Sequence, residues 1–206
     1  MHLRPLHCLA ALALAGCAPS AFAQAAGHFT LGAGLYGIAP KSDAGTILAG
    51  TTPLEVDDGI GASLTWETFI AENWGLETAL NLAGKQDITV DGSKAGSFVA
   101  LPPSFTVQYH FNGSGNISPF VGLGLNYATY FSESGDGVLA GTDLKLKDSF
   151  GLAAHAGIDF AIGESGAVRV DVRWMQMRPD IALYEQKVGS LKIDPLYYGV
   201  AYIHYF

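Results

Sequence analysis

His110, His155, Glu67, Glu77, Asp159, Asp171, Arg169 and Arg173 hold most of the acid–base and ionic chemistry in the body of this chain. Ser104 with His110 and Asp159 supplies the residue types of a nucleophilic triad. No nucleophile elbow surrounds the serine, and no metal-ligand spacing links the histidines. The spacing therefore argues against an enzyme, and neither a metal nor a cofactor is expected. An ionic reading fits better: carboxylates and arginines of one interior satisfy each other through hydrogen bonds. Asp159 and Arg169 flank residues 163–165, and Glu67 and Glu77 sit symmetrically about residues 71–73. Two like charges so placed need a cation or a basic partner. Arg169 or Arg173 serves only if the stagger of the strands brings it near.

These residues lie on runs in which apolar and other residues alternate with period two, the pattern of a β-strand. Eight such runs cover residues 29–35, 60–66, 74–82, 101–111, 121–127, 150–160, 168–174 and 196–206. The ionic residues and histidines occupy the face opposite the apolar one, which a sandwich core would bury only at high cost. A strand of about 10 residues is roughly 33 Å long, enough to cross a hydrocarbon layer at a tilt of ~45°. Alternation alone leaves two options, a barrel in lipid or a sheet with one wet face.

Connection lengths discriminate between them. Residues 39–57, 84–97, 132–147 and 179–192 make long connections, and residues 71–73, 112–116 and 163–165 make short ones. Long and short alternate throughout, as in barrels with long extracellular loops and short periplasmic turns. The fold class is therefore all-β, an eight-stranded antiparallel transmembrane β-barrel with both termini on the periplasmic side.

The N-terminus reads as an export signal: Arg4, an apolar stretch from Leu9 to Ala15, and the small-x-small site Ala21-Phe22-Ala23. Residues 1–23 are then the signal and residues 24–206 one barrel domain beginning at Gln24. Leu14-Ala15-Gly16-Cys17 is a competing lipoprotein box, in which Cys17 carries lipid. Cleavage after Ala23 removes Cys8 and Cys17, the only cysteines of the chain, and with them any disulfide or thiolate site. Charged residues are 15% of 206 and the net charge is −8, which excludes the basic surface of a nucleic-acid binder.

Aromatic residues fall toward the strand ends, as two membrane-interface belts require. Trp74, Tyr109, Phe111, Phe120, Phe160, Tyr202 and Phe206 lie toward the short turns, and Tyr36, Tyr127, Tyr130, Trp174 and Tyr198 toward the long loops. The 26 glycines are about twice the usual ~7% share. Gly32, Gly34, Gly61, Gly122, Gly124, Gly151 and Gly157 fall mostly on the inner face, where small residues relieve the curvature of a narrow barrel and leave interior space. The expected channel interior combines Gly32, Gly34 and Gly124 with Glu67, Glu77, His110, His155, Asp159, Arg169, Asp171 and Arg173. Its charged members concentrate toward the short turns, which implies a polar plug beneath an apolar upper cavity. Acidic loop residues Asp43, Glu55, Asp57, Asp58, Glu133, Asp136 and Asp143 read as solvated charge, with bridging of divalent ions to lipopolysaccharide as the alternative.

Several segments carry a further signal. They are Leu101-Pro102-Pro103 with Gln108-Tyr109-His110-Phe111; Pro119-Phe120-Val121-Gly122-Leu123-Gly124-Leu125-Asn126-Tyr127; Leu146-Lys147-Asp148-Ser149-Phe150-Gly151; Gly157-Ile158-Asp159-Phe160; Asp171-Val172-Arg173-Trp174-Met175; Ile193-Asp194-Pro195; and the terminal Tyr202-Ile203-His204-Tyr205-Phe206. In order and number they resemble the OmpW family of outer-membrane proteins, over residues 28–206. Leu82-Ala83-Gly84-Lys85 departs from the family, standing where relatives often have a Pro-Phe step followed by basic residues. The resemblance implies an integral outer-membrane barrel with a narrow, largely apolar channel. It also implies passive passage of small hydrophobic compounds, with lateral release through the wall as one exit. A structural or adhesive barrel acting through its loops is the contrasting function. Implied partners are outer-membrane lipids, lipopolysaccharide, small hydrophobic ligands and the assembly machinery that reads the terminal Phe206.

Overall fold

The computed structural model describes residues 26–206 apart from 43, 48–51 and 114. The expected signal over residues 1–23, with Cys8 and Cys17, and the loop residue Asp43 lie outside the described residues. In chain order the strands are β1 Phe29–Ala39, β2 Thr46–Ile47, β3 Thr52–Val56, β4 Gly59–Ala71, β5 Trp74–Ala83, β6 Gln86–Val90, β7 Ser93–Leu101, β8 Ser104–His110, β9 Ile117–Gly135, β10 Leu144–Leu146, β11 Ser149–Ile162, β12 Gly166–Met175, β13 Asp180–Leu183, β14 Gln186–Ser190 and β15 Leu196–Tyr205.

Eight of them close a ring. Antiparallel ladders join β1 to β4, β4 to β5, β5 to β8, β8 to β9, β9 to β11, β11 to β12 and β12 to β15. The ring closes where β15 pairs with β1 from Thr30↔Tyr205 to Ala39↔Leu196. Closure leaves these strands no free edge except on β5 beyond Ala79, where pairing with β8 stops, and a closed sheet can stand in lipid. The terminus reinforces it: Phe206 N donates to Phe29 O, the His28 imidazole donates to Phe206 O at 2.9 Å, and the Phe29 and Phe206 rings stack at 4.8 Å.

Alternation sorts the side chains as a lipid-facing barrel requires. Leu35 is 68% exposed, Leu125 43% and Phe150 69%, whereas their strand neighbours Tyr36, Asn126 and Ser149 are buried. The tight turns sit at one end. Asn73, in the left-handed region at φ 65°, turns β4 into β5, and Gly163 at φ 68° turns β11 into β12.

At the other end the long connections are not irregular. They build the short strands β2, β3, β6, β10, β13 and β14, which with β7 and the upper part of β9 extend the wall beyond the ring. Their alternating apolar residues, Leu54 and Val56, Ile88 and Val90, Leu144 and Leu146, are too few per segment for periodicity to stand out. A second difference lies in the run expected over residues 101–111. It breaks between β7 and β8 at Pro102 and Pro103, which have no N–H to donate to a ladder.

Three aromatics expected at the membrane interface face the interior instead. Phe120 is 1% exposed, Tyr36 9% and Tyr130 7%. Their height along the strand suited an interface, but their parity is that of the inward residues Gly122, Gly32 and Asn126. Phe120 packs over Gly157, where a Cβ would stand 2.7 Å from its ring. Of the other interface candidates, Trp74, Phe111, Tyr202 and Phe206 are exposed, and Tyr109, Phe160 and Trp174 are half-buried on the outer face.

Candidate functional site

The lumen has two levels, and the lower one is ionic. Glu67, Glu77, His110, His155, Asp159, Arg169, Asp171 and Arg173 all point into it and are buried. Arg169 is the hub. Its Nε and Nη2 donate to the two Asp159 carboxylate oxygens at 2.7 and 2.9 Å, a paired contact between neighbouring strands at the register Asp159↔Arg169. Its Nη1 donates to Glu77 Oε2 at 3.0 Å and its Nη2 to Glu67 Oε2 at 3.4 Å. Stagger therefore brings it to the two glutamates that face each other across β4 and β5. Its guanidinium also lies 4.3 Å from the Phe120 ring centroid, within cation–π range.

Arg173 forms the upper edge of this network. It donates to Glu77 Oε1 at 2.6 Å, to Ser104 Oγ at 2.9 Å and to His155 Nδ1 at 3.1 Å. Arginine can only donate, so His155 Nδ1 is the acceptor and its ring proton sits on Nε2, 3.2 Å from Thr106 Oγ1. His110 Nε2 is 2.8 Å from Glu67 Oε1. Asp171 lies at the margin, 4.0 Å from Arg173.

Ser104, His110 and Asp159 do not assemble into a triad. Each is engaged with a different partner: Ser104 with Arg173, His110 with Glu67 and Asp159 with Arg169. Among the described residues no group of three or more His, Cys, Asp or Glu is placed to hold a metal ion. What the arrangement does chemically is pair buried charge across the lumen, two arginines serving Glu67, Glu77 and Asp159 with Asp171 at the margin.

The inward glycines do not leave the space expected of them. A Cβ on Gly124 would collide with the main chain of Phe105 and Thr106, and one on Gly34 would stand 2.7 Å from Ala201 Cβ. A Cβ on Gly32 would press on Thr65 and Ile203, and one on Gly122 on the His155 ring. These positions admit close strand approach and bulky neighbours, and so open no lumen of their own.

Above Arg173 the interior turns apolar. Tyr36, Tyr130, Tyr197, Phe98, Met175 and Met177 pack together at this height, with edge-on contacts of Tyr36 to Tyr197 at 5.6 Å and Phe98 to Tyr130 at 5.8 Å. Higher still, the extended wall encloses a cavity of about 340 Å³ lined by apolar residues that include Leu54, Ile88, Val90, Leu144, Ile181 and Val188. Size and lining match a small apolar molecule. The sequence reading expected an apolar upper cavity but neither the strands that line it, which come from connections read as loops, nor its aromatic floor. The parity of Tyr36 and Tyr130 was the signal available for the floor. It also missed Asn81, a buried polar residue in the wall whose side chain joins Tyr36 to Pro102.

The chain resembles known proteins across nearly its whole length. It is 33% identical to Outer membrane protein W of Vibrio cholerae over 207 residues, 94% of each chain. It is 32% identical to Outer membrane protein W of Escherichia coli over 188 residues, 85% of this chain and 87% of that one. The crystal structure of the outer membrane protein OprG from Pseudomonas aeruginosa superposes with a TM-score of 0.77 at 26% identity, covering 89% of this chain and 98% of OprG. Residues 25–206 match the OmpW family as a whole. With a closed eight-stranded ring, a lipid-facing apolar exterior and an ion-paired polar lumen, the chain belongs to the OmpW family of integral bacterial outer-membrane barrels.

Proposed function

We propose that the protein gives small hydrophobic compounds a passive route across the polar outer leaflet. The observation that carries this reading is the vertical order of the lumen: an apolar cavity of about 340 Å³ above, an ion-paired floor below. A compound entering from outside meets residues that accept an apolar surface, then a network that offers it nothing. Descent through Glu77, Arg169 and Arg173 would break buried ion pairs, which is strongly unfavourable. Sideways release into hydrocarbon is favourable for the same molecule. The wall supports such an exit just above Arg173 and Ser104, where ladder pairing between β5 and its neighbour stops. No energy source is involved, and flow follows the gradient.

The remaining partners follow from the same setting. The barrel exterior meets outer-membrane lipid, and the extended wall meets lipopolysaccharide. Phe206 presents the terminal aromatic to the assembly machinery, and residues 1–23 direct export, leaving Gln24 as the first residue of the barrel domain.

Uptake of a panel of apolar probes, compared between cells with and without the protein at matched expression, tests the route. Continuation of the Ala79↔Ser104 register sets Leu82 opposite Leu101, so a Leu82→Cys/Leu101→Cys pair provides a reversible lock. Uptake that depends on the protein, falls on oxidation and returns on reduction is the expected result. Equal uptake with and without the protein across the whole panel would leave a structural or adhesive barrel.

A further inference from the structure

Gln108 is 0% exposed, and neither end of its amide has a hydrogen-bond partner among the described residues. It lies on β8 between Thr106 and His110, which are buried with it on the inner face. The register sets it opposite a glycine on each side, Gly75 on β5 and Gly122 on β9. Side chains of the ionic level lean over both glycines. A Cβ on Gly75 would overlap Glu67 Oε1, and one on Gly122 would overlap His155 Nε2 while standing 3.2 Å from Gln108 Cγ. Gln108 therefore has the Glu67 carboxylate over one neighbouring position and the His155 ring over the other, yet hydrogen-bonds to neither. Thr30 faces Glu67 from β1 and is likewise buried with its hydroxyl unpartnered. Polar groups left unmet in an interior are costly, and those of native proteins find a partner.

The charges at this level do not balance either. Glu67, Glu77, Asp159 and Asp171 bring four negative charges, and Arg169 and Arg173 return two. His155 is neutral, since its Nδ1 accepts from Arg173. A proton on His110 would cover one charge more, and at least one would remain buried without a counterpart, a strongly unfavourable state. Water alone would satisfy the Gln108 amide and leave the charge. A proton on a carboxylate would cover the charge and leave the amide. A small cation that keeps part of its water meets both needs.

The donors suit a monovalent ion. The Gln108 carbonyl and the Glu67 carboxylate are hard oxygen ligands, and a carboxylate has lone pairs beyond those that His110 and Arg169 occupy. Both Glu77 oxygens are already held, one by Arg169 and one by Arg173. One shared carboxylate with neutral oxygens around it is a sparse set for a divalent ion. We propose that the lower lumen binds an alkali cation, Na⁺ or K⁺, between Gln108 and Glu67, as the resident counter-ion of the ionic network. This site is independent of what passes through the upper cavity.

Urea titration of the full barrel in an uncharged detergent tests the site, at fixed pH and with choline chloride replaced stepwise by NaCl or KCl so that ionic strength stays constant. Binding to the folded state alone raises the folded-to-unfolded ratio about tenfold for each tenfold rise in free cation above its dissociation constant. The midpoint of the unaltered protein is expected to rise in this way with at least one of the two cations. Gln108→Met, which keeps the length of the side chain and removes its oxygen, is expected to lose the rise. Gln108→Asn, which draws the amide back by one methylene, is expected to weaken it, and decides the matter if Gln108→Met does not fold. Equal midpoints of the unaltered protein in choline, Na⁺ and K⁺ overturn the proposal. A cation dependence unchanged in a folded Gln108 variant puts the ion elsewhere and overturns the site. A midpoint indifferent to alkali cations but rising as pH falls assigns the missing charge to a proton and overturns it as well.

Discussion

Arg169 Nη1 donates to Glu77 Oε2 at 3.0 Å from the opposite side of the ring and from 92 residues away in the chain. β12 and β5 stand four places apart in a ring of eight, so this contact spans the lumen. It ties the two like charges of the β4–β5 hairpin, Glu67 and Glu77, to the Asp159–Arg169 pair of the β11–β12 hairpin in one network that braces the barrel across its diameter.

Removing that brace should destabilise the fold. Arg169→Leu leaves Glu67, Glu77 and Asp159 without their shared cation, and the loss expected for breaking a buried pair is about 3–5 kcal/mol. Urea titration of the barrel in detergent, followed by the heat-modifiable shift in gel mobility, reads it. A midpoint equal to that of the unaltered protein would mean that the network adds nothing to stability.

Ion conduction should be small. An eight-stranded barrel has room for side chains or one small ligand, and here the side chains that cross it are ion-paired. Planar-bilayer recording of the unaltered protein is expected to show only low conductance, altered by charge reversal in Asp159→Arg or Arg169→Glu. A large, stable conductance from a single unaltered barrel would contradict the plug.

Phe120 should behave as a core residue and not as a membrane anchor. It lies under the Arg169 guanidinium and 5.3 Å from the His110 ring centroid. Phe120→Ala is expected to cost about 3–5 kcal/mol, the range for an aromatic removed from a packed interior. A tryptophan placed there should escape quenching by brominated lipid, whereas one replacing the outward Phe105 should be quenched. Equal quenching at both positions would put Phe120 on the outer face.

Gly124 should tolerate no side chain without movement of the wall. Its Cβ would meet the Phe105 carbonyl, which cannot rotate away, so β8 and β9 would have to part. Gly124→Ala is expected to cost about 1–3 kcal/mol, as overpacking does. A stability within error of the unaltered protein would show that the two strands have slack.

Export processing should yield a chain starting at Gln24. Intact mass of the protein recovered from outer-membrane fractions checks this directly. A mass fitting a lipid-modified Cys17 as first residue would overturn the assignment of residues 1–23 as a cleaved signal.

Alternation along residues 29–35, 121–127 and 150–160 determined which side chains face lipid, because the strand period of two needs no partner to act. Loop lengths determined the strand count and which ends share a side, since a hairpin turn is a local event. The ionic residues were recognisable by type and parity: Glu67, Glu77, Asp159 and Arg169 fall on inner positions of their strands. Which cation meets which carboxylate was decided only by the tertiary structure. Stagger around a closed ring sets the relative height of β5 and β12, and no local feature of either strand encodes it. The inward turn of Phe120, Tyr36 and Tyr130 was written in their parity, but height along the strand pointed the other way. The cavity above them was decided late as well, because strands of two to five residues form there only against a wall that already exists. The break at Pro102 and Pro103 divides in the same way. Two missing N–H groups are a property of the sequence, whereas the arrival of Asn81 and Tyr36 to close the space depends on how β1, β5 and β7 come together.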